Sequence, residues 1–257
     1  MEYSLIRIEV ENQIAIVEMN RKKELNALSM AMMRELNTAF ASFMKEDSNI
    51  NLVVLTGGDE CFSAGLDLKE VPDLNGNDSA RYLRLYLDLY TRLIDYEKIL
   101  ITAVSGIAFG GGLNLALMGD IIIASESAIF GHPEIKYGFN PLVTPLVSRI
   151  GMARSKELTL RGDPIGAIEA HNIGLINRVV PPERFRDEVM LWARQLEKRP
   201  REAIQALKRA FDVVSRLDAK AAIEYELEIS GMLLNVRTDA RKEMKNFIQG
   251  KKASRIS

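Results

Sequence analysis

Ile99-Leu-Ile-Thr-Ala-Val-Ser-Gly-Ile-Ala-Phe-Gly-Gly-Gly-Leu-Asn-Leu-Ala-Leu-Met118 is the stretch around which the chain is organised. Ile99 to Val104 is almost wholly apolar and reads as a buried strand. Gly106 and the triplet Gly110 to Gly112 then turn the backbone into a helix that starts near Gly111. Each glycine costs roughly 1 kcal/mol against alanine inside a helix, so three in a row need a reason. Two reasons are open: bare N–H groups that face something negative, or tight packing of helix on strand. The dinucleotide fingerprint G-x-G-x-x-G fails on spacing, because Ile107, Ala108 and Phe109 separate Gly106 from the triplet. A phosphate-cradling P-loop would need Lys and Ser/Thr after its last glycine, where this chain has Leu113 and Asn114. The remaining ligand-binding reading is a backbone site for a small anion or a developing oxyanion.

The composition narrows the setting. With 257 residues and 47% apolar content the chain is long enough for a substantial core. Its 34 basic and 35 acidic residues give a net charge of −1, and hence no global attraction for nucleic acid or membrane. A single cysteine, Cys61, excludes an internal disulfide and suits a reducing compartment. Two histidines, His132 and His171, make a His/Cys metal cluster an unpromising reading. The first residues go straight into an alternating strand pattern, with no signal or transit segment, and no apolar run approaches the roughly 20 residues of a membrane span. A cytoplasmic enzyme or binding protein is expected.

Outward from the opening stretch, residues 3–10 and 13–19 alternate as two strands around Glu11-Asn12. Ser29 is placed to cap a helix whose Met33, Leu36, Phe40 and Phe43 form one apolar stripe, read as core. Leu52 to Thr56 is a buried strand, followed by a second glycine-bearing loop from Gly57 to Lys69. The repeated strand, glycine loop, helix pattern predicts parallel strands with crossover helices and two loops on one sheet edge. Pro72 to Ser79 reads as a surface loop and Ala80 to Ile94 as a helix carrying Tyr82, Tyr86 and Tyr90 one turn apart. These tyrosines either pack on the sheet or line an apolar pocket. Strands are expected at 120–124, 128–131 and 178–180, with helical patterns to Arg149, at 153–161, at 166–172 and from Phe185 onward. The C-terminal helices, with Ile204, Leu207, Phe211 and Val214 and then Ile223, Leu227 and Leu234, carry more apolar surface than one layer needs.

Read together, Asn20-Arg21 to Asn26-Ala-Leu28, Phe62-Ser-Ala-Gly-Leu-Asp-Leu68, Ala103-Val-Ser-Gly to Gly112, Asp120-Ile-Ile-Ile-Ala124, Phe130-Gly-His-Pro-Glu134 and Gly174-Leu to Val179-Val-Pro181 resemble the crotonase superfamily, the enoyl-CoA hydratases and isomerases. The resemblance implies an α/β fold, a crotonase-like spiral of ββα units over residues 1–195, with a C-terminal helical trimerisation region at 196–257. It also implies a homotrimer or dimer of trimers and an acyl-CoA thioester substrate, with no cofactor. The backbone N–H groups of Leu66 and Gly111 would form the oxyanion hole. Ala64, Asp67 and Leu68 would wrap CoA, and Gly110, Phe139 and Leu142 would also meet substrate. Arg21, Lys22 and Lys23 are either CoA phosphate ligands or a solvated basic turn. Phe247 and Lys251 fall where relatives reach a neighbour's CoA.

Hydratases of the superfamily hold a water between two glutamates. This chain resembles them at Glu134 but has Asn114 at the other position, and an amide orients water without exchanging its proton. The Gly138-Phe-Asn-Pro-Leu-Val-Thr-Pro145 segment departs from the glycine-rich hydratase pattern as well. Both differences favour isomerisation of a 3-enoyl-CoA to a 2-enoyl-CoA with Glu134 as acid and base. A single-carboxylate hydratase, a decarboxylase or hydrolase of the same superfamily, and a degenerate RNA- or protein-binding homologue are the alternatives. His132 and His171 are read as structural, and Tyr86, Tyr90 and Tyr137 as pocket donors of no fixed role.

Overall fold

A computed structural model describes residues 3–45, 47–70, 76–236 and 245. The opening hairpin forms as the alternation predicts: β1 (Ile6–Glu11) pairs antiparallel with β2 (Ile14–Met19), and Asn12 takes the turn at φ 55°. In α1 (Met30–Phe43) the Ser29 side chain accepts from the Met32 N–H at 3.1 Å, a cap that stabilises by about 1 kcal/mol. The stripe of Met33, Leu36, Phe40 and Phe43 is buried.

Three turns of strand, strand, helix follow. The first is β3 (Leu52–Thr56), β4 (Cys61–Ser63) and α2 (Gly76–Ile94). The second is β5 (Ile99–Val104), β6 (Ile107–Phe109) and α3 (Gly111–Leu117). The third is β7 (Ile121–Ser125), β8 (Ile129–Gly131) and, after a 3-10 turn at Pro133–Tyr137, α4 (Thr144–Arg161). The first strand of each turn joins a six-stranded sheet in the order β1-β2-β3-β5-β7-β10, where β10 is Arg178–Val180. The second joins a four-stranded sheet in the order β4-β6-β8-β9, where β9 is Ile165–Gly166. Neighbours from β2 to β10 and from β4 to β8 run parallel, so each turn climbs both sheets in one direction. This is the spiral of ββα units that the sequence resemblance implied.

Parallel strands buried on both faces read as continuous apolar runs, as every buried residue of β5 shows. The β4 and β6 strands are only three residues long, within what sequence reading treats as loops. Pro72–Asn75 of the expected surface loop lies outside the described residues, and Gly76 to Ser79 is helical rather than loop. Within α4, Gly151 at φ 71° and ψ 172° breaks the helix in two, in keeping with separate helical patterns before and after it. Then come α5 (Ala167–Asn172) and α6 (Phe185–Glu197).

The chain divides between Lys198 and Arg199 into two compact units. The second holds α7 (Arg201–Val214) and α8 (Ala219–Val236), which pack on each other. Among the described residues no helix is long and apolar enough to cross a membrane.

Candidate active site

The ends of β4 and β6 lie side by side and carry the two glycine loops. A methyl group on Gly65 would come within 2.6 Å of the Phe109 carbonyl and 3.0 Å of the Gly111 nitrogen, and one on Gly112 within 2.2 Å of the Ser63 carbonyl. The packing explanation left open for the glycines therefore applies: side chains would push the loops apart. The N–H of Gly111 opens α3 and has no acceptor within the helix. Leu66 pairs with Leu28 through the bond from the Leu28 N–H to the Gly65 carbonyl at 2.7 Å. Among the described residues neither the Leu66 nor the Gly111 N–H has a hydrogen-bond acceptor. The structure thus brings together two free N–H groups on adjacent loops.

The loop that carries Leu66 is anchored at Asp67. Its carboxylate takes a hydrogen bond from the Arg21 guanidinium and another from the Lys69 N–H at 2.9 Å. Burial alone would raise this carboxyl, but the Arg21 and backbone bonds outweigh it and hold it below the ordinary range. Arg21 is thereby committed to the loop, and the carboxylate of Asp67 is taken up. Ala64 is half-buried, with its N–H on the Leu25 carbonyl at 2.9 Å, and Leu68 is exposed. Lys22 lies 3.9 Å from Glu18 and Lys23 is exposed.

Glu134 arrives from the other side. The Gly110 N–H donates to the Gly131 carbonyl at 2.9 Å, tying the end of β8 to the glycine triplet. Three residues after Gly131, Glu134 sits in the 3-10 turn with its Oε1 only 2.3 Å from where a Cβ on Gly110 would stand. Gly110 itself has φ 51°, a conformation that favours glycine. Asn114, one turn into α3, is buried, and among the described residues its Oδ1 has no partner; nor does Oε2 of Glu134. Phe139 and Leu142 are exposed beyond the 3-10 turn, as is Tyr137.

Two residues that the sequence left without a role complete the cluster. Tyr86 and Tyr90 of α2 stack with ring centroids 4.4 Å apart. The Tyr90 hydroxyl donates to the Gly111 carbonyl at 2.6 Å and so clamps the start of α3. The Tyr86 hydroxyl stands 2.8 Å from the position of a Gly111 Cβ and faces the Asn114 side chain. Burial pushes the Tyr86 phenol up to about 12 and raises Tyr90 well above its ordinary value. Both remain neutral hydrogen-bond donors at any ordinary pH. The one-turn spacing of the tyrosines was the available signal, but it does not distinguish a wall residue from core.

His132, read from the sequence as structural, has its Nδ1 3.5 Å from Glu134 Oε2, and its side chain is fully buried. His171 is exposed on α5. Cys61 is buried, which pushes its thiol up to about 11 and leaves it unreactive near neutrality. Phe247 and Lys251 lie outside the described residues.

The arrangement has two free N–H groups on adjacent loops, one carboxylate against Gly110, and a buried amide facing a phenol. Known proteins are similar to the chain over nearly its whole length. The family model described as Enoyl-CoA hydratase/isomerase matches residues 9–254. A probable enoyl-CoA hydratase of Rhizobium meliloti (strain 1021) is 34% identical, with 98% of each chain covered. A short-chain-enoyl-CoA hydratase of Clostridium acetobutylicum is 33% identical over 98% of this chain and 97% of its own. The crystal structure of enoyl-CoA hydratase subunit I from Geobacillus kaustophilus HTA426 superposes with a TM-score of 0.90 at 32% identity, covering 98% of each chain. With nearly its whole length matched on sequence and on structure, the chain is an enzyme of the enoyl-CoA hydratase/isomerase family, within the crotonase superfamily.

Proposed function

We propose that the enzyme adds water across the double bond of a 2-enoyl-CoA, with one carboxylate moving the proton. The observation that carries this reading is a buried Asn114 Oδ1 with no partner among the described residues and a Glu134 Oε1 lodged against Gly110, the residue that caps the helix carrying Asn114. Such oxygens suit a bound water: the amide accepts one of its protons and the carboxylate the other. The hydratase names of the relatives support the same reading.

The thioester carbonyl accepts from the N–H groups of Leu66 and Gly111. As the water oxygen bonds to C3, Glu134 takes its proton and the C2=C3 electron pair moves into an enolate. That enolate is stabilised by the two N–H groups, each worth about 3 to 4 kcal/mol where such a donor has been removed. Glu134 then returns its proton to C2, so atoms and charge balance with one acid–base group. Tyr86 orients Asn114, and Tyr90 holds Gly111 in place. Ala64, Asp67 and Leu68 line the CoA side through their backbone, Gly110 makes room for Glu134, and Phe139 and Leu142 are candidates for the acyl side.

A second reading is isomerisation, in which Glu134 takes a proton from C2 of a 3-enoyl-CoA and returns it at C4. Asn114 favours it, because that residue cannot serve as a second acid. The two are separated by supplying 2-enoyl-CoA and 3-enoyl-CoA in turn and identifying the products. Hydration of the first supports our reading, conversion of the second alone supports isomerisation, and conversion of neither points to decarboxylation or thioester hydrolysis. Glu134→Gln is expected to lower kcat by about 10² to 10⁴-fold; full activity would remove Glu134 from the mechanism.

A further inference from the structure

The site has lost one ionisable group at Asn114, yet it holds another that the mechanism above does not use. His132 is fully buried where β8 hands over to the 3-10 turn, and neither ring nitrogen has a hydrogen-bond partner among the described residues. The facing oxygen, Glu134 Oε2, is unpartnered too, at 3.5 Å from Nδ1. Buried groups of this kind are normally satisfied, and those that are not cluster where chemistry occurs. The 3.5 Å separation is longer than a made hydrogen bond, as catalytic pairs often are before substrate tightens them.

We propose that His132 is the positioning residue of Glu134: its Nδ1–H donates to Oε2, leaving Oε1 turned toward Gly110 and the reacting carbons. The proposal rests on Glu134 being the acid–base group. A neutral imidazole with its proton on Nδ1 fixes the carboxylate plane through this one hydrogen bond, and a second proton on the ring would turn the same contact into an ion pair.

Other ionisable groups around the pair are spoken for. Tyr86 and Tyr90 on α2 stay neutral. Lys136 in the 3-10 turn pairs with Asp163 at 2.7 Å. On α4, which packs against that turn, Arg149 donates to the Gly119 carbonyl and Arg161 lies 3.3 Å from Asp163. His171 on α5 is exposed.

Two substitutions separate the roles of the ring. His132→Asn places an amide N–H near the position of Nδ1 but cannot titrate, whereas His132→Leu removes the donor at similar size. In His132→Asn, kcat near neutrality is expected to stay within about threefold of native, while His132→Leu loses about 10 to 100-fold in kcat with KM unchanged. On the acid side, log(kcat/KM) of the native enzyme is expected to fall more steeply than that of His132→Asn, which has no ring to protonate. Native-like activity in both variants with an unaltered acid limb would overturn the proposal, as would equal losses in both. Should His132→Leu fail to fold, the slope in His132→Asn decides alone. Glu134→Gln, run alongside, tells the two failures apart: if it is inactive while His132 variants behave as native, only the role of His132 falls.

Discussion

At the residue scale, the geometry turns on what Gly110 lacks. A Cβ there would stand 2.3 Å from Glu134 Oε1 and 2.7 Å from Cδ, and φ 51° disfavours any L side chain. Gly110→Ala is therefore expected to displace the carboxylate rather than the fold as a whole. Circular dichroism should remain native while kcat falls by at least about tenfold, because a misplaced catalytic group costs rate steeply. Unchanged kcat would mean that Glu134 does not work from this position. Much of the site was legible as sequence because glycine and glutamate announce themselves: a triplet at a helix start needs an explanation, and a carboxylate after Pro133 invites one. His132 and Tyr86 did not. Whether a side chain two residues away in an extended segment faces the same side depends on backbone angles, here φ −117° and ψ 72° at His132, that residue type does not dictate. Tyr86 repeats at helical spacing like its core neighbours Tyr82 and Leu89, and only the approach of Gly111 makes its hydroxyl part of the site.

At the scale of elements, the loop between β4 and α2 that carries Leu66 is anchored by a buried ion pair. Asp67 is almost wholly buried, with Arg21 mostly so, and the pair links the segment after β2 to the residue beside Leu66. Removing Arg21 leaves a buried carboxylate without its cation, which costs up to about 3 kcal/mol. The pH dependence follows from the lowered carboxyl of Asp67. Its contribution is fully present above the ordinary value of 3.8 and is lost as pH falls through the lower folded value. The difference in unfolding free energy between native protein and Arg21→Met should thus be constant above about pH 5 and shrink in stronger acid. A difference that grows on acidification would contradict the assignment, and denaturant titrations at several pH values measure it. Long elements such as α1, β3 and β5 were readable because burial imposes a period or a continuous apolar run. Two strands of the second sheet were not: β4 and β6 have three residues each, too few to show a period, and their pairing is fixed by contacts distant in sequence, whereas β8 falls within the strand expected at 128–131.

At the scale of the whole molecule, the C-terminal helices carry a series of exposed apolar side chains. Phe211 on α7 is 66% exposed, as is Leu227 on α8, and Leu207, Ile223, Met232 and Leu234 are exposed with them. Single exposed apolar residues are ordinary, but a series on two adjacent helices points to burial against further copies. We read it as the subunit interface of a trimer or of a dimer of trimers, the assembly that the sequence resemblance implied. The interface has a thermodynamic consequence. Covering a side chain such as Phe or Leu stabilises by about 1.5 to 3 kcal/mol, and a closed ring of identical contacts repeats that gain at each interface. Sedimentation velocity of the native protein should give a mass that is a multiple of three chains. Phe211→Glu together with Leu227→Glu places charges where apolar contacts would form and should yield monomer with its helical content retained. A native protein that sediments as a monomer of 28.8 kDa would refute the reading, because these residues would then face water without penalty.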